Sequence, residues 1–399
     1  MADDGLRPIL YGHIGGHGFR RGLGRQGGLP EALAKHTNVI LLQGPTAEDR
    51  AERRVRPRLK KVGERMFVVE NAFALRNSRA RDFLGPLAAV IDGAWLNRAL
   101  DANGLGDYVY WVSDPQLALL SSMRLDRLVY DCIDPCFVPK DQPDMDRIEG
   151  TITKAARLVF ATAQTLRDRM AAMHPKAILL PNACSMDTCQ AADEDTAVPE
   201  KLRGVSRPVI GCLGTYDWRF DVQLVEGAAR LLPDCTFALA GRVNQSQEAQ
   251  MSRLLQLPNV LHLGSLTYEE GHHHVAHFDI GLIPFVEGPM GDAINPVKMY
   301  MYLAFGLPVI ATDIAECARH ADWVTTVRTP EQFAAAVRSI QESNSPAQAE
   351  SRRTFARQNR WEDRAAAAIR TLRSEGLIDR KPGNMAIRDG VPPMATNER

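Results

Sequence analysis

The residue best suited to binding an anion is Lys298, because it lies in the first turn of a predicted helix. The segment 295–313 reads NPVKMYMYLAFGLPVIATD and divides at Gly306. Apolar residues recur at helical spacing before this glycine, whereas a proline and a short apolar run after it predict a buried strand. Pro296 suits a first helical position, and Asn295 is predicted to cap the helix. A helix N-terminus attracts anions, and Lys298 adds positive charge there.

Further candidates for anion binding follow predicted strands of the C-terminal half. Arg219 comes just after a tight turn at Gly214 and Thr215, and Arg242 directly follows the apolar run FALAG. Arginine suits a phosphate because its planar guanidinium donates two parallel hydrogen bonds, although a surface ion pair is the alternative for each. Phe285 follows another predicted strand, where an aromatic side chain could contact the flat face of a ligand. A structural core phenylalanine is the alternative there.

A carboxylate that could accept a proton lies in the N-terminal half, at Asp134. The sequence RLVYDCIDP places Asp131 and Asp134 after a predicted buried strand. Parallel sheets carry their chemistry at the carboxyl ends of strands, and Pro135 holds Asp134 in an extended backbone. We predict that Asp131 caps the turn and that Asp134 is a general base, with a turn aspartate bound by backbone N–H groups as the alternative.

The remaining polar clusters are predicted to be structural. Histidines of the run GHHHVAH point in different directions on a helix, and His273 with His277 supplies only two metal ligands. Asp144 and Asp146 are spaced like a metal-binding D-x-D motif but lack its surroundings, and the odd number of cysteines, seven, does not suggest a disulfide framework. We therefore predict that the protein needs no metal and no cofactor.

The composition limits the classes of protein to which this chain can belong. The chain has 399 residues, of which 45% are hydrophobic and 24% charged, as in soluble globular proteins of two domains. Lys+Arg and Asp+Glu balance at 48 each, so the overall charge does not favour nucleic acid as a partner. No apolar run approaches the roughly 20 residues of a membrane span, and the N-terminus is not a signal peptide. A cytoplasmic protein is predicted.

Predicted strands and helices alternate through both halves of the chain. This pattern is typical of parallel, doubly wound sheets. Predicted strands cover residues 7–11, 38–42, 108–113, 127–130, 158–163 and 177–180, then 209–214, 237–241, 260–263 and 280–284. Residues 191–206 carry charge and proline without hydrophobic periodicity, so they are predicted to be the interdomain linker.

Two segments of the N-terminal half could meet a ligand. Residues 12–28, GHIGGHGFRRGLGRQGG, are rich in glycine, which lets the backbone approach a ligand closely. A helix is predicted to begin after them, at Pro30. A flexible surface loop is the alternative. Residues 50–65, RAERRVRPRLKKVGER, form the most basic stretch. They are predicted to be a solvated face or, alternatively, a contact with anionic lipid headgroups at the inner face of the membrane or with a lipid-diphosphate acceptor.

The string N-P-x-K-x-Y-x-Y-L-A-x-G-x-P-V-x-A-T-D resembles the nucleotide-sugar half of GT-B glycosyltransferases, in particular a bacterial subgroup that builds exopolysaccharides and cell-wall polymers. The resemblance implies an α/β fold of two Rossmann-like, doubly wound domains that face a cleft. It implies that the helix start and Lys298 hold the donor diphosphate, and that the first loop helps to bind the acceptor. The implied donor contacts are Lys298, Asn295, Arg219, Arg242, Gly214, Thr215, Phe285, Val297 and Met301, and the implied acceptor contacts are Gly15, Gly16, His17 and Arg25.

The chain departs from many of these relatives at two positions. Many of these relatives, most of them retaining enzymes, carry two glutamates eight positions apart. In this chain Ala293 and Met301 stand at those two positions. A thioether is a poor acceptor for ribose hydroxyl groups. The chain is similar to inverting glucuronosyltransferases of the xanthan-assembly type, which lack the second glutamate and whose catalytic aspartate matches Asp134. An inverting mechanism is therefore expected.

The resemblance also implies a domain plan and a function. Residues 1–190 are predicted to bind the acceptor and 207–345 the nucleotide sugar, while the helices of 346–378 pack back on the first domain and 379–399 form a disordered tail. The expected reaction moves a sugar, from UDP-sugar in the leading hypothesis, to a glycan or lipid-linked acceptor. Two alternatives remain open: a non-catalytic nucleotide-sugar-binding or scaffold protein, and a nucleotide-sugar epimerase or hydrolase on the same fold.

Overall fold

The chain forms two α/β bodies, each built on its own sheet. The computed structural model describes residues 5–12, 24–44, 56–72, 75, 86–115, 123–134, 145–193 and 197–380. All elements named below belong to those ranges. In sequence, the strands of the first sheet end at residue 179 and those of the second begin at residue 209, on either side of the predicted linker 191–206.

The strands are short and apolar, as the predicted alternation requires. Those of the first sheet are β1 (Ile9–Gly12), β2 (Val39–Leu42), β3 (Arg58–Lys61), β4 (Met66–Glu70), β5 (Val109–Val112), β6 (Leu128–Cys132), β7 (Leu158–Ala161) and β8 (Ala177–Leu179). Those of the second sheet are β9 (Val209–Leu213), β10 (Thr236–Ala240), β11 (Val260–Gly264), β12 (Ile280–Ile283), β13 (Val309–Thr312) and β14 (Val324–Val327). Only β3 is mainly exposed, with a basic sequence, RLKK.

Helices connect the strands and cover both faces of each sheet. In the first half they are α1 (Gly24–Ala34), α2 (Pro86–Ala102), α3 (Met145–Ala155), α4 (Gln164–Ala171) and α5 (Met186–Asp193). In the second half they are α6 (Val222–Leu231), α7 (Glu248–Leu254), α8 (Tyr268–Val275), α9 (Val297–Ala304), α10 (Ala315–Ala318), α11 (Pro330–Ser343), α12 (Pro346–Arg357) and α13 (Trp361–Ser374). None of the helices in the described ranges is long and apolar enough to cross a membrane.

The strand order of each sheet reverses at one place. The described strands run β3-β4-β2-β1-β5-β6-β7-β8 in the first sheet and β11-β10-β9-β12-β13-β14 in the second. These pairings are parallel except that of β3 with β4. The order reverses between β1 and β5 and between β9 and β12, and such a reversal is where open parallel sheets place a ligand crevice. The predicted fold class is confirmed.

Helix α1 begins at Gly24, earlier than the predicted start at Pro30. A Cβ on Gly28 would lie 2.3 Å from the ring of Trp361 in α13. Leu29 and Leu33 join Trp361 in one hydrophobic cluster on the first sheet. The glycines that suggest a loop in the sequence thus allow two helices to pack closely, and this tertiary contact outweighs their low helix propensity.

Helices α12 and α13 pack on different bodies, whereas the sequence predicts that both pack on the first. In α12, Phe355 stacks on Tyr300 of α9 with ring centroids 6.1 Å apart. Arg352 donates from Nη1 to the carbonyl oxygen of Gly306 at 2.8 Å, at the C-terminal end of α9. Helix α13, in contrast, packs on α1. The prediction for α12 is therefore wrong, because its aromatic and basic residues match the surface of α9.

Candidate active site

Lys298 lies at the crevice of the second sheet. The turn at Gly214 follows β9, and α9 follows β12, the neighbour of β9 where the strand order reverses. A Cβ on Gly214 would lie only 3.0 Å from the Nζ atom of Lys298. The ammonium group therefore occupies the space that the missing side chain of this glycine leaves beside the turn.

Glycines keep this part of the crevice free of side chains. Gly214 has φ of 153° and Gly241 has φ of 145°, a region that favours glycine. A Cβ on Gly241 would lie 1.5 Å from the carbonyl oxygen of Gly214. The N–H of Gly241 donates to the carbonyl oxygen of Gly264 at 2.7 Å. The ends of β9, β10 and β11 thus meet at three glycines, which lets a ligand approach the main chain there.

The start of α9 is open to an anion. Its N-cap residue is Pro296, and no side chain caps the first N–H groups. The hydroxyl of Tyr302 accepts a hydrogen bond of 3.0 Å from the N–H of Leu213, which fixes the helix against the end of β9. Lys298 is half-buried, and its Nζ lies 4.9 Å from the ring centroid of Phe285. Within the described ranges, Lys298 has no ion pair with a carboxylate.

Asn295 does not cap α9, so the predicted cap is wrong. Its Oδ1 accepts from the N–H of Asn182 at 2.9 Å, and its carbonyl oxygen accepts from Nδ2 of Asn182 at 2.7 Å. Its own Nδ2 donates to Glu316 at 2.9 Å, and Glu316 in turn accepts from the N–H of Gln164 at 2.9 Å. These buried contacts join the two bodies directly behind the helix start.

Asn182 and Glu316 are absent from the sequence-based predictions of site residues. The sequence PNACS places Asn182 where the resembled family has a proline–asparagine pair, which is the signal that could identify it. Glu316 offers no comparable local signal, because its partners are distant in the sequence. Both residues position α9 rather than line the crevice, since each is buried.

Arg219 faces the crevice as part of an ion pair. Its Nε donates to Oδ1 of Asp217 at 3.0 Å and its Nη2 to Oδ2 at 2.7 Å. Burial raises the pKa of the Asp217 carboxyl, but hydrogen bonds and charge from Arg219, aided by Lys298, hold that pKa below its usual value. The Arg219 side chain keeps 34% of its surface exposed, so the pair leaves room for a second anionic partner. Arg242 is exposed after β10.

The other predicted donor contacts differ in how much of each side chain is buried. Thr215 is exposed next to Gly214, whereas Phe285 is half-buried below Lys298. Val297 is half-buried and packs against a hydrophobic cluster of the first body. Met301 is buried in the core of the second body. Contact of the Met301 side chain with the donor stays a prediction.

Arg25 and Asp131 form a buried ion pair, which corrects two predictions. Nε and Nη2 of Arg25 donate to the two carboxylate oxygens of Asp131 at 2.9 and 2.6 Å. Nη1 of Arg25 donates to the carbonyl oxygen of Leu180 at 2.9 Å, and Trp111 donates to Asp131 at 3.1 Å. Arg25 is therefore not available to an acceptor. Asp131 lies inside β6 and caps no turn, because the strand continues to Cys132.

Asp134 faces the second body from the carboxyl end of β6. The residue as a whole is exposed, but the protein around its carboxyl group withdraws enough water to raise the pKa of that group. Among nearby charges, Arg219 lowers the pKa of Asp134 and Asp217 raises it further, with burial the dominant effect. The carboxylate of Asp134 in the first body is thus close enough to Arg219 in the second body for the two charges to interact.

Position 293 joins the two bodies and does not face the crevice. Ala293 is fully buried and belongs to the hydrophobic cluster of the first body. The short helical turn Gly291–Ala293 contacts α4 there. A glutamate at this position would have to bury its carboxylate in an apolar contact, which is costly without a partner.

The predicted acceptor contacts Gly15, Gly16 and His17 lie outside the described residues. Asp144 of the D-x-D spacing does so as well, whereas Asp146 lies in the first turn of α3. Among the residues that the structure does describe, no group of three His, Cys, Asp or Glu side chains could hold a metal ion.

Residues 207–343 match the family described as glycosyl transferases group 1. The chain has the GT-B fold. A Bacillus subtilis protein named as a teichuronic acid biosynthesis glycosyltransferase, TuaH, is 25% identical over 226 residues, which cover 52% of this chain and 56% of TuaH. The match thus spans little more than half of that relative.

Solved structures with the same GT-B fold cover nearly the whole chain. The trehalose-6-phosphate synthase OtsA superimposes with a TM-score of 0.67 at 11% identity over 92% of this chain and 99% of that chain. Sucrose-phosphate synthase from Thermosynechococcus elongatus gives 0.66 at 16% identity, covering 92% and 98%. HepE of Anabaena, solved in complex with UDP and glucose, gives 0.63 at 16% identity, covering 92% and 100%. At sequence identities this low, the similarity to these structures shows a shared fold and nothing more.

Proposed function

We propose that this GT-B protein transfers a sugar from a nucleoside diphosphate sugar to a glycan or lipid-linked acceptor in polysaccharide assembly. One observation carries the proposal: a lysine without an ion-pair partner in the described ranges stands at an open helix start, beside the glycine turn of the crevice. The group 1 domain and the name of the TuaH relative support the reaction class.

The donor diphosphate is proposed to bind between the start of α9 and the turn at Gly214. Lys298 and the uncapped N–H groups would neutralise the leaving diphosphate, and the exposed side of Arg219 would approach it from the opposite direction. The nucleotide base is proposed to lie near residues 264–268 and 283–287, where β11 and β12 end. HepE binds UDP in the same fold, which makes UDP the first nucleotide to test.

Asp134 is proposed to be the general base of a single displacement. It takes the proton of the acceptor hydroxyl while the oxygen forms a bond to the anomeric carbon. The bond from that carbon to the diphosphate breaks in the same step, and its electron pair leaves with the phosphate oxygen. The product is inverted. The apolar burial of Ala293 and Met301 supports this mechanism over one that needs carboxylates at those positions.

Release of free nucleotide from candidate donors tests the proposal. The full chain is incubated with UDP-, GDP- and dTDP-sugars, with and without glycan or lipid-linked acceptors. A transferase releases nucleotide diphosphate in an acceptor-dependent manner, and the sugar appears in the acceptor. Release that is independent of acceptor indicates a hydrolase, and binding without any release indicates a non-catalytic nucleotide-sugar-binding protein. Either result would contradict the proposal.

Replacement of Lys298 by Ala is expected to weaken binding of the free nucleoside diphosphate by about 1.5–3 kcal/mol. The reason is that the substitution removes a hydrogen bond between two charged groups. Isothermal titration calorimetry measures the affinity. Lys154→Ala, an exposed lysine on α3, is the matched control and is expected to bind like the wild type. Equal affinity of the Lys298 variant and the control would exclude the proposed diphosphate contact.

A further inference from the structure

A cavity of about 660 Å³ lies in the second body, apart from the residues proposed to hold the donor. It is lined by strand β14, which is the last described strand of the second sheet, and by residues of helices α11 and α12. Lys298, Gly214 and Arg219 do not belong to its lining. A volume of this size is typical of sites that hold a small organic molecule.

A buried cation forms part of the lining. Arg352 of α12 is only 7% exposed. Its Nη1 donates to the carbonyl oxygen of Gly306 at 2.8 Å and its Nη2 to Oδ1 of Asn344 at 2.7 Å, so both partners are neutral. Within the part of the chain that the structure describes, Arg352 forms no ion pair with a carboxylate. These two bonds use two of the five N–H groups of the guanidinium, which leaves donors for a ligand.

The charge of Arg352 is only partly balanced by its neighbours. The carbonyl oxygen of Gly306 lies at the C-terminal end of α9, and such a helix end carries only about half a negative charge. Arg353 donates from Nη2 to the carbonyl oxygen of Phe305 at 3.2 Å, so a second guanidinium lies at the same helix end. Burial lowers the pKa of Arg352, and the charge of Arg353 lowers it further. A buried cation in this position is stabilised when an anion binds beside it.

The carboxylates of the lining do not supply that anion. Asp313 is paired with Arg328, whose Nε donates to Oδ2 of Asp313 at 2.8 Å. Asp322, the other acidic residue of the lining, is exposed, so solvent and salt screen its charge. Neither carboxylate is among the charges that alter the pKa of Arg352.

The rest of the lining combines hydroxyl and amide groups with apolar side chains. The polar members are Ser339, Ser343, Gln348 and Ser351, all exposed, and the apolar ones include Val309 and Val324. Hydroxyl and amide groups both donate and accept hydrogen bonds, as the hydroxyl groups of a sugar do. The guanidinium of Arg352 suits a phosphate group, which arginine binds through parallel hydrogen bonds.

We propose that this cavity binds a phosphorylated sugar, with the phosphate on Arg352 and the sugar hydroxyl groups along the serine and amide side chains. Inorganic phosphate would use Arg352 but would leave most of the cavity unfilled. A neutral sugar would leave the buried cation without an anion. The combination therefore favours a ligand that carries both groups. The site is separate from the donor crevice, so the inference does not depend on the proposed transfer reaction.

Isothermal titration calorimetry of the full chain with glucose 1-phosphate, glucose 6-phosphate and fructose 6-phosphate tests the site. A saturating concentration of UDP fills the donor crevice throughout. At least one sugar phosphate is expected to bind, and glucose and inorganic phosphate are each expected to bind about tenfold more weakly or worse, because each lacks part of the hydrogen-bonding groups. If none of the three sugar phosphates binds, or if inorganic phosphate binds as tightly as they do, the proposal is wrong.

Replacement of Arg352 by Gln is expected to weaken binding of the sugar phosphate about tenfold or more, because it removes a hydrogen bond between two charged groups. Arg357→Gln removes an exposed arginine of the same helix outside the cavity and is the matched control. Lys298→Ala is expected to bind the sugar phosphate like the wild type. Equal losses in Arg352→Gln and Arg357→Gln, or a loss in Lys298→Ala, would overturn the proposal.

A second variant leaves Arg352 and its contact with α9 intact. Ser339→Tyr puts a large side chain at an exposed position of the lining, so it is expected to block the sugar phosphate while the melting temperature without ligand stays near that of the wild type. Ser252→Tyr, at an exposed serine of α7, is the matched control and is expected to bind normally. Normal binding to Ser339→Tyr would contradict the proposed position of the ligand.

The cavity and the proposed transferase can fail separately. Sugar phosphate binding that depends on Arg352, without acceptor-dependent release of nucleotide, supports the cavity site and contradicts the transferase. Transfer of sugar to an acceptor, without sugar phosphate binding in the presence of UDP, does the reverse.

Discussion

Asp134→Asn is expected to lower turnover by a factor of about 10² to 10⁴, the usual contribution of a carboxylate general base. Asparagine keeps the size of the side chain but cannot accept the proton of the acceptor hydroxyl. Donor affinity is expected to stay nearly unchanged, because the proposed diphosphate contacts come from α9 and Arg219 in the other body. Initial rates at saturating donor and acceptor measure turnover, and calorimetry measures the donor affinity.

The control for this variant is Asp234→Asn, an exposed aspartate in the second body, which is expected to turn over normally. The configuration of the product is a separate readout. NMR of the glycoside is expected to show inversion at the anomeric carbon. Retention of the donor configuration, or normal turnover of Asp134→Asn, would remove Asp134 from the role of base.

The pH dependence follows from the environment of Asp134. Burial raises the pKa of its carboxyl group and Asp217 raises it further, while Arg219 opposes them. The base must be ionised, so kcat/KM is expected to fall as the pH drops through this pKa, which is higher than the usual value of an aspartate. Asp217→Asn removes a negative charge and releases Arg219 toward Asp134, so it is expected to move the acidic limb to lower pH. If the acidic limb of the pH profile does not move in this variant, a group other than Asp134 controls that limb.

Asp131→Asn is expected to lower the free energy of unfolding by about 3–5 kcal/mol, the cost of leaving one member of a buried ion pair without its partner. The guanidinium of Arg25 would stay buried against a neutral amide, whose single oxygen would replace the two carboxylate oxygens that now accept from Arg25 and Trp111. Urea unfolding followed by circular dichroism measures the change. Turnover of the folded fraction is expected to stay near wild type, because the Asp131 side chain is fully buried below the crevice.

The control for this stability prediction is Asp126→Asn, which removes an exposed carboxylate 3.7 Å from Arg127. An exposed pair of this kind contributes at most about 1 kcal/mol. The double variant Arg25→Met with Asp131→Leu removes both charges and is expected to recover part of the lost stability, because no unpaired charge remains buried. If Asp131→Asn and Asp126→Asn cost the same, the buried pair does not stabilise the first body.

The amino-acid sequence by itself determined most of the strands and the position of Lys298, but it did not predict β3, β4 or β14. The runs NVILL, LVFATA and VIGCL are apolar over the length of one strand, so hydrophobicity and the flanking glycines and prolines set them locally. The helix at Lys298 and the stop at Gly306 follow from the same local signals. The two doubly wound sheets could therefore be predicted without knowing which strands are neighbours.

Tertiary structure alone decided the roles of Arg25, Asn295 and Asp131. Each has side-chain chemistry that fits a ligand or a cap, and each instead binds a partner far away in the sequence: Asp131 for Arg25, and Asn182 for Asn295. Packing likewise placed α12 on α9. Local propensity and spacing report which elements form, but a polar side chain is satisfied by whichever group the folded chain brings within hydrogen-bonding distance.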